Sequence, residues 1–486
     1  MKVSVLINLI GSVIFFQKGG NKMNMLSCDL NRLSEVPLYE QLYSYIKKEI
    51  IDGRLLYGTK LPSKRKLAEF LQISQNTVET AYEQLTAEGY VEVIPRKGYY
   101  IQTFEDLEYT QTNQVSLEQS NHKEGELLYH FHPSQIDTEH FPFEKWRKYM
   151  KSKIDESHQD LLLLGDSQGE YELRCEIAHY LYHARGVQCV PEQIIIGAGM
   201  EILLQQLVLL FDKNAIYGVE DPGYHLIHRI LRSYPNEVHP LQIDEEGVKV
   251  NQIEDSKIDV VYVTPSHHFP NGTILSVNRR TRLLNWAQGA ANRYIIEDDY
   301  DSEFRYSGKT IPSLQSMDAG DKVIYLGSFS KSLMPSIRIS YMVLPAPLLQ
   351  MHQQELSFYH STVSRIDQHV LTQFMKEGDF EKHLNRMRKV YRRKLDKVID
   401  LFKPYQQIKI IGERSGLHIV LIVKNGMDEQ TLIQKANEDH IKIYGLSTYS
   451  IEKIDEHPPK IILGFAGIPE SELEKAIHLL LNSWGL

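Results

Sequence analysis

Cysteine is scarce: Cys28, Cys175 and Cys189 are the only three in 486 residues, odd in number and without the spacing of metal ligands. That excludes a disulfide scaffold, and a reduced cytosolic interior is the simplest compartment. Long hydrophobic runs are also missing. Val3–Phe16 is mostly apolar behind Lys2, yet it is too short to span a bilayer comfortably and no small-residue cleavage site follows it. It reads either as a short membrane-active leader or as sequence upstream of a start at Met23 or Met25. The second is favoured, and residues 1–25 are set aside. Net positive charge is lacking as well. A formal charge of -9 excludes polyanion binding over the whole surface, though not by one small module with local basic groups. Internal repeats are absent. What remains is an ordinary soluble composition on a chain longer than one hydrophobic core supports, so two or three domains are expected.

Three pieces emerge along the chain. In residues 30–103, Leu38, Leu42, Tyr45, Ile46 and Ile50 recur at helical spacing before Gly53, Ser63 caps a second helix through Leu71, and Ser74 caps a third that ends at Gly89. Tyr90–Ile94 and Tyr99–Gln102 flank Pro95-Arg96-Lys97-Gly98, which predicts a hairpin. Residues 104–126 turn polar and lose aliphatic periodicity, as a solvated linker does. From 127 to 486 the pattern is α/β. Buried-type runs at Ile194–Gly197, Ala215–Val219, Asp259–Val263, Tyr294–Glu297, Val323–Gly327 and Ser340–Leu344 are separated by helical stretches such as Glu201–Leu210 and Arg280–Ala291. Such alternation predicts a mostly parallel sheet covered on both faces. A smaller α+β portion follows from about residue 350, with a long charged helix at Phe380–Phe402 and strands near Leu417–Val423 and Lys460–Phe465.

The first piece has the makings of a DNA reader. A helix-turn-helix needs a short capped turn that presents the start of its second helix to the major groove. Gln72-Ile73-Ser74 is that turn, and Gln75, Asn76 and Thr77 are the presented residues. Gln and Asn suit bidentate reading of adenine, and Thr suits a base or a phosphate. Lys64, Arg65, Lys66, Arg96 and Lys97 are candidates for neutralising phosphates; the alternative is an ordinary solvated basic face. Pro62-Ser63-Lys64-Arg65-Lys66-Leu67-Ala68, Ser74-Gln75-Asn76-Thr77-Val78, Ala81-Tyr82-Glu83-Gln84-Leu85 and Ala87-Glu88-Gly89-Tyr90 together resemble the winged helix of the GntR family. Gln75 stands where that family often carries Arg, which bears on the operator's sequence. The resemblance implies a double-stranded DNA operator as partner, contacted by Lys64, Arg65, Ser74, Gln75, Asn76, Thr77, Arg96 and Lys97.

The large piece carries a cofactor constellation at its strand ends. Gly327-Ser328-Phe329-Ser330-Lys331-Ser332-Leu333 closes one buried run, and Arg338 follows the lysine by seven residues. Pyridoxal phosphate requires a lysine for its Schiff base, hydroxyls and amides for its phosphate, and a cation to balance that charge. Taken alone, a lysine between serines is more often a surface residue. Tyr294-Ile295-Ile296-Glu297-Asp298-Asp299-Tyr300 ends another run. A carboxylate there can keep a pyridine nitrogen protonated, and a tyrosine two residues on can donate to a ring oxygen. Asp298 is chosen from its position relative to Tyr300; Asp299 and Asp301 read equally as helix caps. Gly197-Ala198-Gly199-Met200-Glu201 lies between strand and helix, where amides can meet a phosphate. Glu220-Asp221-Pro222-Gly223-Tyr224 offers an aromatic face. His267 and His268 look metal-like, but adjacent residues rarely chelate together, and no metal is assigned.

In this order, at the carboxyl edge of one sheet, the motifs resemble the fold-type-I aminotransferases, and behind a GntR module they resemble the MocR/GabR class of regulators. The resemblance implies Schiff-base attachment at Lys331, pyridine-nitrogen pairing by Asp298, ring-oxygen bonding by Tyr300 and stacking by Tyr224. It also implies phosphate binding by Gly199, Met200, Ser328 and Arg338, with only the backbone amide carried over at Met200, which replaces the usual Ser or Thr. Arginines expected to clamp a carboxylate in GABA-sensing relatives match Leu226 and Thr448, which cannot do so; Arg414 and Arg229 are the alternatives for another ligand. The expected protein is a cytoplasmic, homodimeric, ligand-responsive DNA-binding regulator that senses pyridoxal 5'-phosphate, a small amino compound, or both. The alternative is an active aminotransferase with an appended helix-turn-helix.

Overall fold

In the computed structural model, residues 28–102, 127–452 and 457–486 are described. The leader at 1–25 and the linker at 104–126 lie outside them. The chain divides into two compact units, Met1–Ser120 and Asn121–Leu486.

In the smaller unit, helices α1 (Leu38–Ile51), α2 (Lys64–Leu71) and α3 (Gln75–Ala87) precede an antiparallel hairpin of β1 (Val91–Ile94) and β2 (Gly98–Ile101). Ser63 Oγ accepts from the Lys66 amide at 3.4 Å and Ser74 Oγ from the Thr77 amide at 3.1 Å, so both predicted caps form. The turn between α2 and α3 passes through Gln72 in the left-handed region (φ 52). Leu42, Ile46, Leu67, Val78, Tyr82 and Leu85 are fully buried between the helices. Each such aliphatic side chain contributes about 1.5–3 kcal/mol through removal from water. The Tyr82 hydroxyl donates to the Pro62 carbonyl at 3.0 Å, which ties α3 to the start of α2.

The larger unit opens on β3 (Tyr129–His130), α4 (Phe143–Lys153) and α5 (Tyr171–Arg185). Its main sheet contains β4 (Ile194–Ala198), β5 (Ile216–Asp221), β6 (Glu237–Asp244), β7 (Gly247–Val248), β8 (Val260–Val263), β9 (Tyr294–Asp299), β10 (Val323–Ser328) and β11 (Ile339–Val343). Their order is β4-β11-β10-β9-β8-β5-β6-β7. From β10 through β6 neighbours run parallel, whereas β11 is antiparallel to both its neighbours, and β7 is antiparallel to β6. All six buried runs expected from the sequence are strands. β6 and β7 are additional: β6 carries Glu237, His239, Pro240 and Gln242 toward the sheet's edge, so its pattern is not that of a buried run.

Successive residues of one strand feed opposite faces. Ile194 and Ile196 join one core while Ile195 joins the other, beneath α6 (Met200–Leu210) and α7 (His225–Arg232). The 24-residue helix Asp379–Phe402 leads into a second sheet of β12 (Ile408–Ile411), β13 (His418–Val423), β15 (Tyr444–Gly445) and β16 (Lys460–Gly464), while β14 (Ile441–Lys442) pairs in parallel with β3. The beginning of this unit is therefore stitched to its end, and Pro133, four residues after β3 starts, is delivered to the edge of the main sheet where the strand ends gather.

Candidate functional site

On the smaller unit, Ser74, Gln75 and Asn76 are exposed at the start of α3, and Arg96 and Lys97 are exposed at the hairpin tip. Thr77 is half-buried, and its hydroxyl lies 2.7 Å from Ser74 Oγ, so it belongs to the cap as much as to the surface. Arg65 is largely exposed and pairs with Glu69 at 3.1 Å. Lys64 differs from the free phosphate contact the sequence suggests: its ammonium is ion-paired with Glu79 of α3. The pair joins α2 to α3, because residue 64 opens one helix and residue 79 lies one turn into the next.

On the larger unit, β9 and β10 are parallel neighbours with Leu326 opposite Asp298. Their carboxyl ends therefore open on the same edge, together with the turn after β4. A cavity of about 220 Å³ at that edge is lined by Gly199, Met200, Tyr224, Asp298, Tyr300, Ser328, Lys331 and Arg338. These are the eight residues singled out from the sequence for the cofactor, drawn from segments up to 139 positions apart.

Their chemistry is complementary. Asp298 is buried; one carboxylate oxygen, Oδ2, accepts from the Tyr262 hydroxyl, while Oδ1 has no hydrogen-bond partner. Burial, with Asp299, Asp301 and Glu297 close by, pushes this carboxyl up to about 7. Asp299, one residue on, belongs to the interior instead: it accepts from Arg185 at 2.6 Å and from the Tyr325 hydroxyl. Asp301 bonds His267 Nδ1 at 2.8 Å. Neither is a helix cap, because β9 runs through Asp299 and turns follow it. The Tyr300 hydroxyl lies 3.0 Å from the same His267 nitrogen, and the two rings are stacked. His268 is separately buried; its ring nitrogens make no hydrogen bond, and Nε2 lies 3.7 Å from a carboxylate oxygen of Glu220.

Lys331 lies at the mouth of β10, and its ammonium donates to the Pro133 carbonyl at 2.5 Å. Burial lowers this amine to about 8, against the opposing pull of Asp301. At the far end of the cavity Gly199 adopts φ +102, and a Cβ there would fall 2.0 Å from Arg338 Nη2. A side chain there would push that guanidinium aside, and the positive φ itself favours glycine. The Gly199 amide is already bonded to the Gly197 carbonyl at 2.9 Å, so the free amides at this turn are those that begin α6 at Met200. Ser328 Oγ lies 2.9 Å from Ser330 Oγ.

These residues fit pyridoxal phosphate. An unpaired buried carboxylate oxygen suits a pyridinium N–H, a buried amine of lowered pKa suits covalent attachment, and a glycine cradle beside a guanidinium and a serine suits a phosphate. Of the arginines proposed for an effector, neither Arg229 nor Arg414 lines the cavity; both are exposed. Leu226 lines it, and Thr448 is exposed outside it.

Sequence reasoning missed Tyr262, Pro133, Thr362 and Glu201. Thr362 Oγ1 accepts from the Ala198 amide at 2.8 Å, and Glu201 pairs with Arg338. Strand adjacency brings Tyr262 to Asp298, and nothing local in the sequence announces that. Glu201 was visible in the Gly-rich turn as its only ionisable residue.

Comparison with known proteins gives the same division of the chain. Residues 134–480 match the aminotransferase class I and II family, and residues 38–101 match the bacterial regulatory proteins of the gntR family. The chain is 45% identical to the HTH-type transcriptional regulator YdeL of Bacillus subtilis, over 94% of this chain and 98% of that one. It is 31% identical to the "probable rhizopine catabolism regulatory protein MocR" of Rhizobium meliloti, over 94% and 95% of the two chains. Among solved structures, a kynurenine aminotransferase of Pyrococcus horikoshii superposes with a TM-score of 0.65 at 22% identity, over 74% of this chain and 91% of that one, which shows a shared fold. The chain therefore belongs to the MocR-type transcription regulators, in which a DNA-binding GntR head is joined to a pyridoxal-phosphate-binding domain of the class I and II aminotransferase family.

Proposed function

We propose that this regulator takes pyridoxal phosphate in the cavity of its larger unit, attached at Lys331, and changes its hold on an operator when a small amino compound, or the cofactor itself, alters the occupancy of that cavity. The observation that carries the reading is that Lys331, Asp298 and Arg338 line one cavity in a chain that also bears a DNA-binding head. When bound, the cofactor supplies a reversible covalent link to amines and an electron-accepting ring.

The chain's own residues have separable tasks. Lys331 keeps a substantial uncharged fraction near pH 8 because burial disfavours its ammonium, and an uncharged amine is the attacking form. Asp298 Oδ1 accepts a hydrogen bond from a protonated ring nitrogen and holds that proton in place. Tyr300 donates to the ring oxygen, with His267 and Asp301 behind it. Arg338, Ser328 and the Met200 amide bind the phosphate beside Gly199, and Tyr224 supplies one aromatic wall. Leu226, Ile227 and Phe269 add apolar wall to the cavity.

On the head, Gln75 and Asn76 read base edges, with Thr77 and Ser74 at the groove. Arg65, Arg96 and Lys97 contact phosphates, and Lys64 joins them only when it leaves Glu79. Two-fold pairing of the chain suits paired half-sites. Leu162, Leu163 and Leu164, exposed at 80%, 70% and 75%, and Phe358, exposed at 70%, are apolar side chains that such pairing would cover. A cytoplasmic location follows from a DNA partner, and among the described residues no helix is long and apolar enough to cross a membrane.

A gel-shift on the intergenic DNA upstream of the gene tests the reading, with pyridoxal phosphate and candidate amines added singly and together. The wild-type pattern should change with the cofactor and again with an amine, and a Lys331→Ala protein should lose both responses. Identical shifts under every condition would reduce the larger unit to a scaffold, and sustained turnover between an amino donor and a keto acid would favour an enzyme.

A further inference from the structure

We infer that Glu201 is a built-in competitor for the cofactor's phosphate, so that this site fills and empties with the cofactor's level instead of keeping it permanently. The inference rests on the proposed cofactor site and adds to it the regulation of that site.

The residues that would cradle a phosphate are already partly engaged. Glu201, in the first turn of α6, is ion-paired through Oε1 with Arg338 Nη2, and the same guanidinium nitrogen donates to the Ala198 carbonyl at 3.2 Å. Both groups lie directly on the glycine turn. A Cβ built on Gly199 would fall 2.0 Å from Arg338 Nη2 and 2.7 Å from Glu201 Oε2. The carboxylate thus stands where an anion held by Arg338 and by the start of α6 would come. Arg338 has 49% of its side chain exposed and follows the short turn Pro335–Ile337, so on the protein side Glu201 and the Ala198 carbonyl are what hold its guanidinium at this turn.

Among the described residues, the cationic side chains lining the cavity are Lys331 and Arg338, and Lys331 is directed to the Pro133 carbonyl. A phosphate dianion must therefore displace one carboxylate from a single guanidinium and then remain beside it. The helix's positive end favours either anion but not both at close range. With 35% of its side chain exposed, Glu201 has room to swing toward water. The result is competition for Arg338, with entry still open. Met200, next in line, offers no hydroxyl to offset the loss.

The test is a titration of the full chain, freed of cofactor, with pyridoxal phosphate and with pyridoxal, which lacks the phosphate, followed by absorbance and by quenching of tryptophan fluorescence. Glu201→Gln keeps the shape and removes the charge. It should tighten pyridoxal phosphate by about tenfold or more, equivalent to about 1.4 kcal/mol, and leave pyridoxal unchanged. Glu201→Ser should behave alike and stands in if the glutamine variant does not fold. Wild-type binding of pyridoxal phosphate as tight as the variants' would overturn the inference while leaving the cofactor site intact. An equal gain for both ligands would overturn it too, since that marks a general change of shape. If neither wild type nor variants bind pyridoxal phosphate, the cofactor reading falls and takes this inference with it.

Discussion

Asp298 should make the larger unit less stable in the absence of cofactor, and its replacement by asparagine should show this in a pH-dependent way. The carboxyl is buried with one oxygen unpartnered and is raised from 3.8 to about 7 in the folded chain, chiefly by burial. A carboxyl raised on folding binds its proton more tightly in the folded state, so stability is lost as the pH rises from its unfolded value through about 7. At about 1.4 kcal/mol for each tenfold, the span from about pH 5.5 to about pH 7 carries about 2 kcal/mol. Asp298→Asn has no charge to bury and escapes that loss. Glu220, raised to about 8 by burial with Asp298 among its like-charged neighbours, should be relieved in the same direction. The assay is urea unfolding of the cofactor-free full chain at about pH 5.5 and about pH 8. Tryptophan fluorescence reports the larger unit alone, because the chain's three tryptophans are Trp146, Trp286 and Trp484. The variant should gain about 2 kcal/mol more over wild type at the higher pH, and saturating pyridoxal phosphate should reverse the order. An equal gain at both pH values, or a loss at pH 8, would refute the placing of Asp298 as a buried acid with one oxygen unpartnered.

On the head, Ser74→Ala removes the hydroxyl that caps α3 at 3.1 Å and should cost about 1 kcal/mol of the head's stability, measured by thermal unfolding with circular dichroism. Replacing Arg96 and Lys97 together by alanine should weaken operator and non-specific DNA alike and lower the salt dependence by about two counterions, as read by anisotropy over a salt series. An unchanged salt slope would remove the hairpin tip from the interface.

The architecture was largely legible where burial leaves a strong mark. Ile194–Ile196, Val260–Val263 and Tyr294–Ile296 are continuous apolar runs because both faces of their sheet are covered. The strand β6, with Glu237 and Gln242 exposed and a proline within it, left no such mark, since most of its length is paired on one side only, with β5, and β7 covers just its last two residues. In the site, Lys331, Asp298 and Gly199 could be found singly because each lies within three residues of a strand's end. Their partners could not. Lys331 meets Pro133 across 198 positions, and Asp298 meets Tyr262 across 36, contacts set by strand order and not by local sequence. Lys64 shows the converse: its charge suggested a phosphate, yet the fold supplies Glu79.

The most direct test of a regulator that carries its cofactor on Lys331 is borohydride reduction of the full chain loaded with pyridoxal phosphate, followed by digestion and mass spectrometry. The cofactor's mass should appear on the peptide containing Ser330-Lys331-Ser332 and nowhere else. Label on another lysine, or none on a protein that still binds its operator, would contradict it.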